Sequence, residues 1–342
     1  MTSLRLPRTR AGRAALVILL LAGVVALVAW RAKLEVVVDA FRYVEWGWVV
    51  AAVLINFVSI LVRSIAWKIV VDQAVPAPGP RHRSVFAAFS VGLLGNAVLP
   101  GRVGELARVI VLTRRMRRPA GTWATVVGTV LAHRLFDVVV ASALVVYVVY
   151  EARIPDWARP ALAIVLGIGL GLLLGALLVA RRRPRLALDE IGPVRRLLRM
   201  ARQGLAVLKQ PAPAAGALAF QVLGWAAQLF AVWTAFRAFG IEGSVIAAAL
   251  VLVIMNLVAV FPLWPGNVGL VQAAIALSLL PYGVGYAHGF AYGIGLQAIE
   301  ASVGVALGLL FLAREGFSFA MLRRMPEVTE VEDVDERIER IA

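Results

Sequence analysis

The 342-residue chain contains no cysteine and only three histidines. Disulfides, thiolate metal sites and a cysteine nucleophile are therefore excluded. His82, His133 and His288 are too scattered in sequence to suggest a metal cluster. Charge is scarce as well: 16% of the residues are Asp, Glu, Lys or Arg, with 20 acids against 35 bases. No nucleotide loop, Gly-x-Ser-x-Gly, His-Glu-x-x-His or carboxylate-rich loop for a metal-bound sugar donor occurs. The polar segments are also too short to hold a catalytic domain. Neither enzymatic activity nor a cofactor is expected.

What the sequence has in excess is apolar length. Hydrophobic residues make up 61% of the chain and its mean hydropathy is +0.85. That is more apolar surface than one soluble core hides, and it defines a polytopic membrane protein. A formal net charge of +15 would suggest nucleic acid for a soluble protein. Here the arginines cluster in short segments between apolar runs, where the positive-inside effect expects them, so no nucleic-acid partner is expected.

Full spans are expected near 14–30, 47–71, 121–150, 160–180, 213–239 and 287–313. The first has a basic start like a signal peptide, but it lacks a small-residue cleavage site and is read as an uncleaved helix. Two further apolar stretches, 84–112 and 244–280, are interrupted near their middles by Pro-Gly and read as hairpins of two shorter limbs. The expected fold class is an all-α membrane protein, with about six full transmembrane helices plus two re-entrant or broken helical hairpins. With that layout, 24 Lys and Arg residues fall on one side and 5 on the other. The rich side holds both termini, the basic loop 181–209 and the acidic tail 314–342. These are expected to be cytoplasmic, at the inner membrane. Hairpins whose limbs cross fully give the same parity.

"LPGRVGEL" at 99–106 matches "WPGNVGLV" at 264–271, both reading Pro-Gly-x-Val-Gly. The first hairpin opens to the cytoplasm and the second to the outside, so inverted repeats over 47–150 and 213–313 are expected within a single domain, 1–313. Non-helical backbone at membrane depth needs protein or a watery cavity to satisfy it, so the two breaks point to an interior site. Helix N-termini after Pro100-Gly101 and Pro265-Gly266 would suit an anionic head group. The alternative is that both breaks are kinks or packing contacts.

Arg102, Glu105 and Arg108 follow the first break at i, i+3 and i+6. Glu105 can hold one arginine while the other is left for a ligand phosphate, or all three form a structural network. In the next span Arg134 and Asp137 stand at i, i+3 deep in an apolar run, so an ion pair facing protein is expected, with proton or ion carriage by Asp137 as the alternative. His133 is beside them. The second break has Asn267 and Gln272 but no charge. Glu300, one turn after Gln297, is the lone acid within the last span, either a counter-charge across the pseudo-twofold or a helix–helix hydrogen bond. Arg63 and Lys68 are read as snorkelling to the cytoplasmic surface.

"NAVLPGRVGELARVIVLTRR", "AHRLFDV" and "FPLWPGNVGLVQAAIALS" resemble the motifs of the lysylphosphatidylglycerol synthase transmembrane-domain family, over roughly 14–313. The resemblance implies an integral inner-membrane, flippase-like module that moves, or helps move, a lipid between leaflets. Bifunctional members carry a separate C-terminal aminoacyltransferase domain. The chain ends without one and is not expected to synthesise the aminoacylated lipid. The first motif keeps Arg102, Gly104, Glu105 and Arg108. His133 stands where the family pattern has a glutamate, Asn267 replaces a glycine and Gln272 replaces another glutamate.

The expected ligand is a membrane lipid with an anionic head group, either a phospholipid or a polyprenyl-phosphate-linked lipid. The expected site comprises Asn96, Pro100, Gly101, Arg102, Gly104, Glu105, Arg108, Arg134, Asp137, Pro265, Gly266, Asn267, Gly269, Gln272 and Glu300. A second reading is a non-transporting membrane partner of a lipid-modifying or glycosyltransferase enzyme, docked through 181–209.

Overall fold

The computed structural model of the chain describes residues 34–75, 78–98, 103–116, 122–181, 206–260 and 265–314. The expected first span, the tip 99–102, most of the loop 181–209 and the tail beyond 314 lie outside the described residues. Apolar segments in hydrocarbon must satisfy every backbone polar group internally, which selects helices. Ten α-helices are described: α1 (Leu34–Arg42), α2 (Trp46–Ala74), α3 (His82–Val98), α4 (Gly104–Met116), α5 (Thr122–Glu151), α6 (Ala158–Arg181), α7 (Pro211–Ala238), α8 (Val245–Ala259), α9 (Leu270–Leu279) and α10 (Tyr286–Arg314). No strand occurs among the described residues. The fold is an all-α membrane protein.

Five of these helices, α2, α5, α6, α7 and α10, are long and apolar enough to cross a membrane. The two interrupted stretches are the helix pairs α3–α4 and α8–α9. At about 1.5 Å per residue their limbs reach only about 15–26 Å, short of the roughly 30 Å hydrocarbon core. The second hairpin is broken because its centre cannot continue a helix. Around the second break, Gly266, Asn267 and Gly269 all adopt positive φ (66°, 45° and 91°). Glycine tolerates that backbone freely and asparagine better than most residues.

Packing follows small residues. α2 and α7 lie against each other along much of their length, and Ser59 Oγ donates to the Gly224 carbonyl (2.7 Å). The limbs of the first hairpin meet at Gly95 and Gly104, where a Cβ on Gly95 would sit 2.8 Å from the Gly104 Cα. Only glycines allow backbones this close. The Gly104 N–H is then satisfied by Asn96 Oδ1 (3.0 Å). One apolar core draws mainly on α2–α5, around Trp67, Val91, Leu94 and Leu112. A second draws mainly on α7–α10, around Phe236, Leu252, Ile275 and Leu296. The two groups meet where α3 packs on α10 and approaches the turn at 265–267.

The outer surface is fitted to lipid. Ile164, Ile168, Leu170 and Leu174 of α6 are exposed. Tyr43, Trp46 and Trp48 at the start of α2, Tyr147 and Tyr150 at the end of α5, and Trp157 before α6 are also exposed. Amphipathic aromatic rings gather at membrane interfaces. Each of these helix ends is therefore suited to a membrane interface, and only a short link separates α5 from α6.

Gly104→Val should lower thermal stability in detergent, measured by tryptophan fluorescence, because overpacking costs about 1–3 kcal/mol. Gly171→Ala, where an added Cβ meets nothing within 4 Å, should leave the melting temperature within about a degree of wild type.

Candidate functional site

Charged and polar side chains of the apolar spans gather at one level. Arg63 on α2, Arg134 and Asp137 on α5, Gln221, Trp225 and Gln228 on α7, and Glu300 on α10 all fall in the middle third of their helices. A lone charge at that depth costs about 2.5–3.5 kcal/mol on insertion scales, so each must find partners.

Glu105 and Asp137 organise the first group. Glu105 Oε2 lies 2.7 Å from Arg108 Nη2, and its other oxygen pairs with Arg134. Arg134 Nη1 donates to Asp137 Oδ2 (3.0 Å). Asp137 Oδ1 accepts from Trp225 Nε1 (3.0 Å) and from Gln221 Nε2. Arg134 thus bridges two carboxylates, and α4, α5 and α7 are tied together. His133 Nε2 lies 3.3 Å from the Arg63 carbonyl. Since a carbonyl only accepts, that nitrogen carries the proton, and Nδ1 is left without a hydrogen-bond partner 3.9 Å from Asp137 Oδ2.

The three arginines differ in access. Arg108 is 3% exposed and stacks its guanidinium on Trp67, 4.8 Å from the ring centroid. The Arg134 side chain keeps 44% of its surface accessible, although it sits about 18 Å along a spanning helix of about 45 Å. At that depth its charge is met by the two carboxylates that it bridges. Arg63 does not snorkel as expected: its guanidinium lies 4.9 Å from the Trp225 ring centroid, and its Nε and Nη2 are buried without hydrogen-bond partners. The reason is geometric. Gly224 has no Cβ, so the Arg63 stem packs across α7 there instead of running along the membrane normal. Lys68 pairs with Asp72 one turn further on, as a residue near a helix end does.

The second break is built differently. Asn267 Nδ2 donates to the Val258 carbonyl (3.0 Å), and the Gly269 N–H donates to Gln272 Oε1 (2.6 Å). Gln272 bonds Gln297, which in turn bonds the Gly266 carbonyl. These amides are spent on the turn itself, and Pro265 opens it with helical backbone. Glu300 stands apart from both groups. Its Oε1 accepts from Gln228 Nε2 (3.0 Å), while Asn56 Nδ2 reaches the Glu300 backbone carbonyl (3.4 Å).

Of the expected site residues, Glu105, Arg108, Arg134 and Asp137 come together in one seam, and Asn96 with Gly104 closes the hairpin beside it. Gly266, Asn267, Gly269 and Gln272 form a separate brace, and Glu300 joins neither, its side chain bonding Gln228. Pro100, Gly101 and Arg102 lie outside the described residues. Arg63, Gln221, Trp225 and Gln228 were missed as site residues. A signal for three of them existed: Asn56 and Arg63 on α2, and Gln221 and Gln228 on α7, are polar pairs seven apart in otherwise apolar spans. That spacing puts each pair on one helix face.

A polytopic helical membrane protein with a charged seam at mid-depth is the class these features define. The comparison with known families narrows it: residues 14–308 match the model of the lysylphosphatidylglycerol synthase TM region. The chain belongs to that family, a membrane module connected with lipids. No curated protein and no solved structure matches the chain.

Two expectations follow. Asp137→Leu should reduce the yield of folded protein sharply, because removing one partner of a buried pair costs about 3–5 kcal/mol; Asp137→Asn, which still accepts from Trp225, should lose less, as size-exclusion recovery after mild heating will register. Asn267→Gly, which keeps the positive φ but loses the bond to the Val258 carbonyl, should lower stability by about 0.5–1.5 kcal/mol, whereas Asn267→Val, β-branched at positive φ as well, should lower it by about 1–3 kcal/mol more.

Proposed function

We propose that the protein is a lipid flippase-like transporter at the cytoplasmic membrane, with both termini cytoplasmic. It moves a lipid with an anionic phosphate head group, a phospholipid or a polyprenyl-phosphate-linked lipid, between leaflets. The observation that carries this reading is the accessible Arg134 at mid-depth, backed by Glu105, Arg108 and Asp137. A half-exposed guanidinium held between two carboxylates can turn toward a phosphate, whose oxygens match its donor fork. Family membership supports a lipid cargo.

In this reading the head group enters the polar seam while the acyl or prenyl tails remain in the hydrocarbon. Phosphate and carboxylates compete for the same guanidinium, so binding loosens the Arg134 bridge between α4 and α5. That exchange lets a charged group pass the midplane without standing unpaired in lipid. The two apolar cores and the two broken hairpins support inverted halves that rock about the seam. The second break, with its amides engaged in its own turn, acts as a rigid counterpart to the charged first one. The role is transport rather than bond chemistry.

The experiment is a flipping assay with purified protein in vesicles of phosphatidylcholine, using head-group-quenchable phosphatidylglycerol and polyprenyl phosphate as two separate probes. Wild type should flip one of them, and Arg134→Gln should slow that rate roughly tenfold or more, as loss of a charge-assisted phosphate contact predicts. Undiminished flipping by well-folded Arg134→Gln would remove Arg134 from the transport path. Absence of flipping of either probe by wild type would overturn the transport reading.

A further inference from the structure

The seam of arginines and acids leaves one cation and one acid without a partner of opposite sign at ion-pair distance. Among the described residues, Arg108 and Arg134 are paired with Glu105, and Arg134 also with Asp137. Arg63 has only an aromatic face and buried, unsatisfied Nε and Nη2. Glu300 has only an amide. The two face neighbouring positions of α7: Arg63 lies over Trp225, and Glu300 bonds Gln228 one turn further along. An unsatisfied buried donor is costly to leave unmade, and an unsatisfied guanidinium more so.

We propose that Arg63 is a phosphate-binding residue at the inner end of the seam, and that Glu300 is the exchangeable counter-charge that anion binding replaces. The inference rests on the transport reading for the identity of the lipid, but the binding step stands without it. Its chemistry is charge balance. Among the described residues, three guanidinium groups, Arg63, Arg108 and Arg134, and three carboxyl groups, Glu105, Asp137 and Glu300, make up the cluster. A phosphate oxyanion entering beside Arg63 adds a fourth negative charge to a low-dielectric site, where like charges repel strongly. When Glu300 takes up a proton the balance is restored, with the guanidinium donating to the phosphate oxygens instead of facing a carboxylate. Glu105 and Asp137 are held by arginines and, at Asp137, by Trp225 and Gln221. Glu300, with an amide as its side-chain partner, is the acid that can give up its charge at least cost.

Among the described residues, no other group placed around Glu300 competes for the role. α2 contributes Arg63 and the amide of Asn56, which bonds the backbone, and α7 contributes Gln228. The acid's own helix contributes Tyr292, whose hydroxyl donates to the Val232 carbonyl (3.0 Å). α3 meets α10 through Ser90, Leu93 and Leu94, and α9 meets it through Gln272 and Ala276. On α1, Asp39 and Arg42 are paired with each other. Anion binding and proton uptake are therefore reciprocal: each strengthens the other by the same factor.

The test is binding of dioctanoyl phosphatidylglycerol to the full chain in phosphatidylcholine nanodiscs. Its phosphodiester keeps one negative charge across the range used, so pH acts on the protein alone. Wild type should bind about tenfold tighter near pH 5.5 than near pH 8. Glu300→Gln, an isosteric mimic of the protonated acid, should bind with the tighter affinity at both values. Arg63→Gln should bind at least about tenfold more weakly at both. Gly224→Ala, whose Cβ would lie 2.5 Å from Arg63 Cγ, should displace the guanidinium and weaken binding without changing any charge. Persistence of the wild-type pH dependence in Glu300→Gln, which would assign it to His133 or another group, overturns the proposal. So does a pH-independent wild type, or unchanged binding by both Arg63→Gln and Gly224→Ala. Farnesyl phosphate in a parallel series separates a polyprenyl source from a phospholipid one. If binding behaves as expected while vesicles show no flipping, the transport reading fails and the binding site stands. If flipping by Glu300→Gln and Arg63→Gln keeps the wild-type rate and pH profile, this inference fails and the transport reading stands.

Discussion

The rest of the structure depends on the cost of a charge in hydrocarbon. Three arginines at mid-depth would each oppose insertion by about 2.5–3.5 kcal/mol if left alone. The fold answers by bringing helices far apart in sequence to one level. Glu105 is presented by the short helix after the first break, Arg134 and Asp137 by the middle of α5, and Trp225 and Gln221 by α7. The ion pairs and hydrogen bonds are not decorations on a packed bundle. They are the condition under which α2, α4, α5 and α7 can be neighbours inside a membrane, since each polar group is tolerable only where another element satisfies it.

The two hairpins solve the same backbone problem in different ways. In the second, left-handed residues at 266, 267 and 269 turn the chain, and Asn267, Gln272 and Gln297 satisfy its loose donors and carbonyls. Little polar capacity is left over. In the first, Gly95 and Gly104 bring the limbs into backbone contact, and Asn96 caps the second limb. The charged side chains of that limb are therefore free to face α5. One break is a rigid corner and the other a source of charge, which is why a repeated Pro-Gly-x-Val-Gly carries different chemistry in its two copies.

Satisfaction of polar groups also explains where function can reside. A fully paired network holds helices together but offers a ligand nothing. The seam departs from that at several points, among them the accessible face of Arg134, the unsatisfied nitrogens of Arg63 and the cation-free carboxyl of Glu300. In the proposed reading the two guanidinium groups supply an incoming phosphate with contacts, and Glu300 is the charge that it replaces. In a transport reading they also mark where the interactions between helices can exchange.

The sequence by itself determined the spans, the breaks and the class. The expected 47–71, 121–150, 160–180, 213–239 and 287–313 became helices whose ends lie within about three residues of those limits, because hydropathy and the need for internal backbone hydrogen bonds are local properties. The pairing of Arg134 with Asp137 was legible for the same reason, being one turn apart. Which partners complete the seam was decided only by the tertiary structure. Asp137 meets Gln221 and Trp225 across 84 and 88 residues of chain, and no periodicity within either helix encodes the rotation that brings those faces together. Arg63 illustrates the limit most sharply. Near the end of an apolar run it reads as a snorkelling side chain, and only the missing Cβ of Gly224 on another helix turns it inward. Long-range packing sets side-chain direction, and side-chain direction decides whether a membrane arginine anchors a helix or faces a ligand.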